Sequence, residues 1–233
     1  MRPTDGGLAR YLRAGLGLAV AAGFTAVAAT PFRVQAEDER GVGSKQVVSL
    51  IELRQAKVVR QQWDLTCGAA AIATLMTYQL NRPVSEREVT LAMLQRTSPL
   101  LVRLRLGFSL LDLKRYAATQ GLEATGYGGL GLDDLVAMAP VIVPIRSHGF
   151  RHFVVLRGRS GDRLLLADPA FGNRTMSADT FEAQWANHLG FTVTDPSQPP
   201  PPNRMGAPAR LFLTPTGQTL RTASALIDVR LRP

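Results

Sequence analysis

Cysteine is nearly absent from this 233-residue chain, which has Cys67 alone. One thiol excludes an intramolecular disulfide framework and any zinc site built on several thiolates. Histidine is scarce, with three residues, and aromatics make up only 6%. The densest basic run, Arg103-Leu104-Arg105, has no interleaved aromatics and reads as a solvated surface segment, so no nucleic-acid partner is expected. The composition excludes a collagen-like or coiled-coil chain, and no repeat of 20–50 residues is visible. The N-terminal apolar stretch, Ala14 to Ala29, is short and rich in Ala and Gly, a poor membrane span. What remains is ordinary globular material: 45% apolar residues, enough for a sizeable core, and a length that suits one domain with extensions.

The N-terminus has the layout of a secretory signal peptide over residues 1–36. Arg2, Arg10 and Arg13 precede the apolar stretch, and Val34-Gln35-Ala36 forms a small-x-small cleavage site before the acidic run Glu37-Asp38-Glu39. Cleavage there removes four arginines and Asp5 and lowers the net charge from +9 to about +6. The expected location is exported, periplasmic in a two-membrane cell. The alternative is an uncleaved segment anchoring the chain in the inner membrane, the only membrane contact foreseen. In an oxidising compartment a lone thiol is an intermolecular link, an inert buried residue or a reactive group.

Residues 37–54 read as a polar leader with a short strand from Val47 to Leu53. Val58 to Gln62 reads as extended. From Cys67 to Leu80 the chain is apolar nearly all round, the pattern of a buried helix, with Thr66 as N-cap and Asn81-Arg82-Pro83 as its end. Ser85 and Glu88 have capping-box spacing and open a second helix reaching Gln95. A third runs from Ser109 to Gln120, closed by Gly121, with Leu111, Leu113, Tyr116 and Ala117 as its apolar face. Leu132 to Met138 is a short fourth. The pattern then turns to strands: Val141–Ile145, Phe153–Leu156 and Arg163–Ala167, the last two joined by the turn Arg159-Ser160-Gly161-Asp162. A short helix from Ser177 to Trp185 and a strand from Gly190 to Thr194 complete a domain over 55–195. The fold class is α+β, with N-terminal helices packed on a C-terminal antiparallel sheet. Residues 196–233 read as a Pro-rich flexible linker and a tail in which Arg210–Leu213 forms an edge strand.

Four residues have chemistry to offer. Cys67 stands at the first turn of the buried helix, where the helix end favours a negative charge on sulfur. The plain alternative is a small buried hydrophobe. His152 opens a strand, a position from which an imidazole reaches a thiol on a facing helix; alone it would be a surface histidine. Asp168 follows the next strand and can accept His152 Nδ1–H if the two strands form a hairpin, although Asp168-Pro169 also suits a turn. Gln61 or Gln62, just upstream of Cys67, can supply a side-chain amide to an oxyanion hole alongside the Cys67 backbone N–H. His148 and His152 are four apart, but a strand does not bring such a pair onto one metal; no metal or cofactor is expected. Trp185 and His188 read as structural.

The segment Gln61-Gln62-Trp63-Asp64-Leu65-Thr66-Cys67-Gly68-Ala69-Ala70 resembles the active-site segment of the bacteriocin-processing, double-glycine cysteine peptidases. So do His152-Phe153-Val154-Val155-Leu156, Asp168-Pro169-Ala170-Phe171-Gly172, the helix Gly107 to Leu113 and the stretch Met176 to Trp185. The resemblance implies a papain-like fold and a thiol endopeptidase in which Cys67 is the nucleophile, His152 the base, Asp168 its orienting residue and Gln61, by its spacing, the oxyanion glutamine. It implies a peptide or protein substrate cut after small residues, typically a Gly-Gly site. Unlike transporter-linked members, this chain shows neither a transmembrane bundle nor a Walker A motif. Exported free-standing relatives point to secretion or assembly machinery as partner. Two rival readings use the same residues: a peptide-binding module that does not cleave, and another papain-like hydrolase or acyl-transferase acting on cell-wall amides.

Overall fold

The computed structural model describes residues 49–147 and 149–206. The expected signal peptide, His148 and the expected strand Arg210–Leu213 lie outside them. Where a strand was expected from Val47 to Leu53, there is a helix, α1 (Leu50–Gln55). A capping box explains it: Glu52 N–H donates to Ser49 Oγ, and Glu52 Oε2 accepts Ser49 N–H at 2.9 Å.

The buried helix α2 (Cys67–Thr74) is the axis of the domain. Its Ala69, Ala70, Ala71 and Ala73 are fully buried, and their small side chains let the helix approach the sheet closely. The expected helix to Leu80 continues as a π-helical turn over Leu75–Gln79, with Leu80 N–H reaching Leu75 O at 3.1 Å. Thr66 does not cap it: the single hydroxyl proton is shared between Trp63 O, at 2.7 Å, and the Glu86 carboxylate. α3 (Glu86–Leu94) and α5 (Leu110–Thr119) both start on the capping boxes of Ser85 and Ser109. On α5 the buried face is Asp112, Leu113, Tyr116 and Ala117, while Leu111 is exposed, contrary to expectation. Asp112 belongs inside because Thr97 Oγ1–H and Ser109 donate to it. Between them lies an unforeseen helix, α4 (Pro99–Arg105), with proline at its first position.

Six strands form one antiparallel sheet: β1 (Glu123–Tyr127), β2 (Val141–Ser147), β3 (Phe150–Ser160), β4 (Arg163–Asp168), β5 (Gly172–Ser177) and β6 (Gly190–Thr194). Their order is β1-β6-β2-β3-β4-β5. α2, α3 and α5 cover one face around Ile72, Met93, Leu113, Ile142 and Val155. α6 (Leu132–Ala137) and α7 (Ala178–Gln184) cover the other around Leu135, Val143, Leu156, Leu166 and Phe181. Trp185 and His188 stack at 4.6 Å beside this second core, and Trp185 Nε1–H donates to Leu189 O at 2.8 Å.

The Pro-rich run is bound rather than free. Gln79 Nε2–H donates to Pro202 O at 3.0 Å, and Arg204 N–H donates to Gln79 Oε1 at 2.9 Å. Met205 is fully buried in the first core. Its carbonyl accepts Arg157 Nε–H at 2.6 Å. Arg157 lies where the β3–β4 register shifts between Leu156 and Gly158, and it also donates to Asn173 Oδ1 at 2.5 Å and Ala56 O at 3.4 Å. Among the described residues no carboxylate offsets this buried guanidinium, and burial pulls its pKa down to about 10.

Candidate active site

Three secondary-structure ends meet at the site. Cys67 begins α2, His152 is near the start of β3 and Asp168 ends β4. The antiparallel β3–β4 pairing brings the last two together, and His152 Nε2–H donates to Asp168 Oδ1 at 2.7 Å. The expectation was an Nδ1 bond. In the observed orientation the outer nitrogen takes the carboxylate and Nδ1 is left for the sulfur, which makes the second side-chain hydrogen bond of the ring.

Asp168 is fully buried and fully coordinated. Oδ1 also accepts the backbone N–H groups of Ala170 (2.9 Å) and Phe171 (3.3 Å), and Oδ2 accepts Arg174 Nε–H at 2.7 Å. Burial alone would raise its pKa, but the His152 bond, the His152 and Arg174 charges and the Ala170 N–H outweigh burial and hold it below the ordinary carboxylate value. For His152 burial works downward, and the bonds and charges of Asp168 and Cys67 outweigh it, raising the pKa to about 9. The imidazole is therefore cationic at neutral pH, held between a carboxylate and a sulfur. Cys67 keeps 6% of its surface exposed. Gly68 fits its neighbours tightly, since a Cβ there would lie 3.1 Å from Leu113 Cδ1 and 3.2 Å from Phe153 Cδ2.

The loop before Cys67 is braced from two sides. Arg60 donates through Nε to Pro169 O at 3.0 Å and through Nη2 to Ala170 O, and Gln61 N–H donates to Pro169 O at 3.0 Å. These bonds tie Gln61 to the turn that follows Asp168. The Gln61 NH₂ donates to Trp63 O at 3.1 Å, and its buried Oε1 has no partner among the described residues. Gln62 faces elsewhere: its side chain is exposed and its backbone N–H donates to Glu86 Oε1 at 3.1 Å. Glu86, only 3% exposed, also accepts the Thr66 hydroxyl. A cavity of about 550 Å³ lies behind this loop, lined by Arg60, Gln62, Tyr78 and Glu86 among others; Cys67 and His152 are not part of its wall.

The structure thus joins Cys67, His152 and Asp168, and ties Gln61 to the same turn. Sequence reasoning missed Arg174, Arg60 and Glu86. Arg174 faces Leu166 across the β4–β5 pair, which puts it beside Asp168; an arginine six residues after the acid, across a glycine turn, was the available sign. Glu86 was visible only as the first residue after a helix cap.

A helix-borne thiol, a strand-borne imidazole and a buried acid, on helices packed against an antiparallel sheet, are the arrangement of the papain-like cysteine peptidases. The comparisons narrow the class. Residues 55–197 match the Peptidase C39 family, and the chain belongs to that family. It is 40% identical over 150 residues to the "Probable functional amyloid protease FapD" of Pseudomonas fluorescens, covering 64% of this chain and 65% of the relative. The protein of the same name in Pseudomonas aeruginosa is 39% identical over 155 residues, 66% of this chain and 67% of the relative. The chain therefore spans about two thirds of the length of these relatives. Among solved structures it resembles a double glycine motif protease from an AMS/PCAT transporter, in complex with its leader peptide. There the TM-score is 0.50 and the identity 27%, over 59% of this chain and 89% of that one.

Proposed function

We propose that this peptidase is an exported endopeptidase that cuts a peptide or secretion substrate at a Gly-Gly-type site. Its nucleophile is Cys67, with His152 as acid–base, Asp168 as orienting group and Gln61 in the oxyanion hole. The observation that carries this reading is the single line of contacts from sulfur through imidazole to a buried, four-fold coordinated carboxylate. A cationic His152 beside the sulfur suits attack by the thiolate. Sulfur adds to the scissile carbonyl, and the oxyanion is met by the Cys67 backbone N–H and the Gln61 NH₂, which exchanges its Trp63 partner for the substrate. His152 gives its proton to the leaving amine as the tetrahedral adduct collapses to the thioester. It then takes a proton from water, whose oxygen attacks the acyl carbon and releases thiol and carboxylate.

Support for the substrate class comes from the leader peptide seen on the transporter protease and the amyloid-linked names of the relatives. They favour a secretion or assembly system as partner. The N-terminal pattern of residues 1–36 supports export to the periplasm. The test uses a fluorogenic Gly-Gly peptide and iodoacetamide. The wild type is expected to cleave the peptide and alkylate at Cys67 faster than free cysteine. Cys67→Ala should lose cleavage altogether, and Gln61→Ala should lose about 10²–10³-fold in kcat. Cleavage by Cys67→Ala at the normal rate refutes the mechanism. Normal binding without any cleavage by the wild type would favour the peptide-binding module.

A further inference from the structure

We propose that Arg146 and Arg151 form a subsite for a carboxylate side chain of the bound peptide, close to the bond being cut. The inference rests on the peptidase reading above and names a chemical feature of its substrate. The two arginines face each other directly across the β2–β3 pair. Both are exposed, and neither side chain has a hydrogen-bond or ion-pair partner among the described residues. The other arginines of the sheet are all engaged. Arg157 bonds Met205 O, Arg159 pairs with Asp133 at 3.1 Å, Arg163 bonds Thr175 Oγ1 at 2.9 Å and Arg174 bonds Asp168. Like charges placed directly opposite each other on a sheet cost stability, and here nothing described within the chain offsets that cost.

Their position is what gives the pair a meaning. Arg151 precedes His152 in the chain. Side chains alternate along a strand, so Arg146 and Arg151 continue the row of Pro144 and Phe153, whose partners they follow in the register. Phe153 lies against Gly68, the residue after Cys67. The next pair outward along that row therefore flanks the beginning of α2, where the substrate backbone must pass. A carboxylate between two guanidiniums accepts charge-assisted bonds from both and relieves their repulsion. The occupant is thus an Asp or Glu side chain of the peptide, a few residues from the scissile bond.

Labelled decapeptides with a central Gly-Gly test this, carrying Asp or isosteric Asn at successive positions on either side. They are titrated by fluorescence anisotropy against the full-length Cys67→Ala protein, which holds them uncut. At one or more positions the Asp peptide should bind about tenfold tighter than the Asn peptide. That preference should vanish in Cys67→Ala carrying Arg146→Gln and Arg151→Gln, and shrink when salt is raised tenfold. Arg151→Lys should keep part of it. The double variant should melt no lower than its parent, because a like-charge pair has been removed. Absence of a preference at every position, absence of binding by every peptide, or a preference that survives the double substitution overturns the proposal. Hydrolysis of the same peptides by the protein with Cys67 intact is scored separately. A charge preference without cleavage sinks the peptidase reading and leaves the subsite standing; cleavage without preference does the reverse.

Discussion

Replacing Asp168 by Asn tests the electrostatics of the site with almost no change in shape. The carboxylate accepts four bonds, from His152, Arg174 and two backbone N–H groups. An amide in its place must turn an NH₂ toward at least one of these donors. It also removes the charge that works against burial at His152. The imidazole is raised from 6.5 to about 9, a difference of about 3 kcal/mol between its two protonation states. Asp168 contributes both a hydrogen bond and a charge to that rise, and Cys67 contributes the rest. The Asn variant should therefore titrate His152 lower than the wild type. Its kcat/KM on a Gly-Gly peptide should fall by up to about 10⁴-fold, the loss that follows when the orienting carboxylate of a hydrolase triad becomes an amide. NMR of protein labelled on its three histidines reads the titration directly, with His152→Gln giving the assignment. If His152 still titrates near 9 in Asp168→Asn, the carboxylate is not what holds its proton, and the account of the site fails.

The same ionisation gives a stability profile. His152 binds its proton more tightly folded than unfolded, so its contribution is complete below about pH 6.5 and is lost as pH rises through about 9. Urea midpoints should fall across that window by on the order of 3 kcal/mol of unfolding free energy, and His152→Gln should flatten the alkaline limb. Gly172→Ala should cost roughly 2–4 kcal/mol in chemical denaturation, because the residue has φ +81° and a Cβ there collides with the Arg54 carbonyl; an unchanged midpoint would contradict the packing of α1 on β5. Met205→Ala should lower stability by about 2–5 kcal/mol, since the side chain is fully buried, and a melt equal to wild type would show that the C-terminal strap is not part of the core.

Cys67, His152 and Asp168 were legible because each sits at the end of an element with a strong apolar pattern. The helix after Cys67 and the strands after His152 and before Asp168 announce themselves, and the termini follow. The edge strands were not legible. β1 and β5 occupy the two ends of the sheet order and carry Glu123-Ala124-Thr125-Gly126-Tyr127 and Gly172-Asn173-Arg174-Thr175-Met176-Ser177, with little apolar alternation. Pairing with a neighbour, not local preference, makes them strands. With β5 unread, Arg174 could not be placed against Asp168. α4 escaped because Leu100, Leu101 and Leu104 are exposed, so its leucines mark no inward face. The imidazole nitrogen that meets Asp168 was misassigned for a related reason. Only the register of two paired strands decides which edge of the ring faces the acid.

Arg157 has a wider consequence. One side chain donates to the carbonyl of Ala56, just past the first helix, to the carbonyl of Met205, at the far end of the described chain, and to the amide oxygen of Asn173. Entry and exit of the polypeptide are thereby buttoned to a common post. The core of the domain thus draws on chain that lies beyond the last strand. A version trimmed at Asp195 would take the Met205 carbonyl from Arg157 and the Arg204 N–H from Gln79, while Ala56 would keep its bond from Asn173 Nδ2.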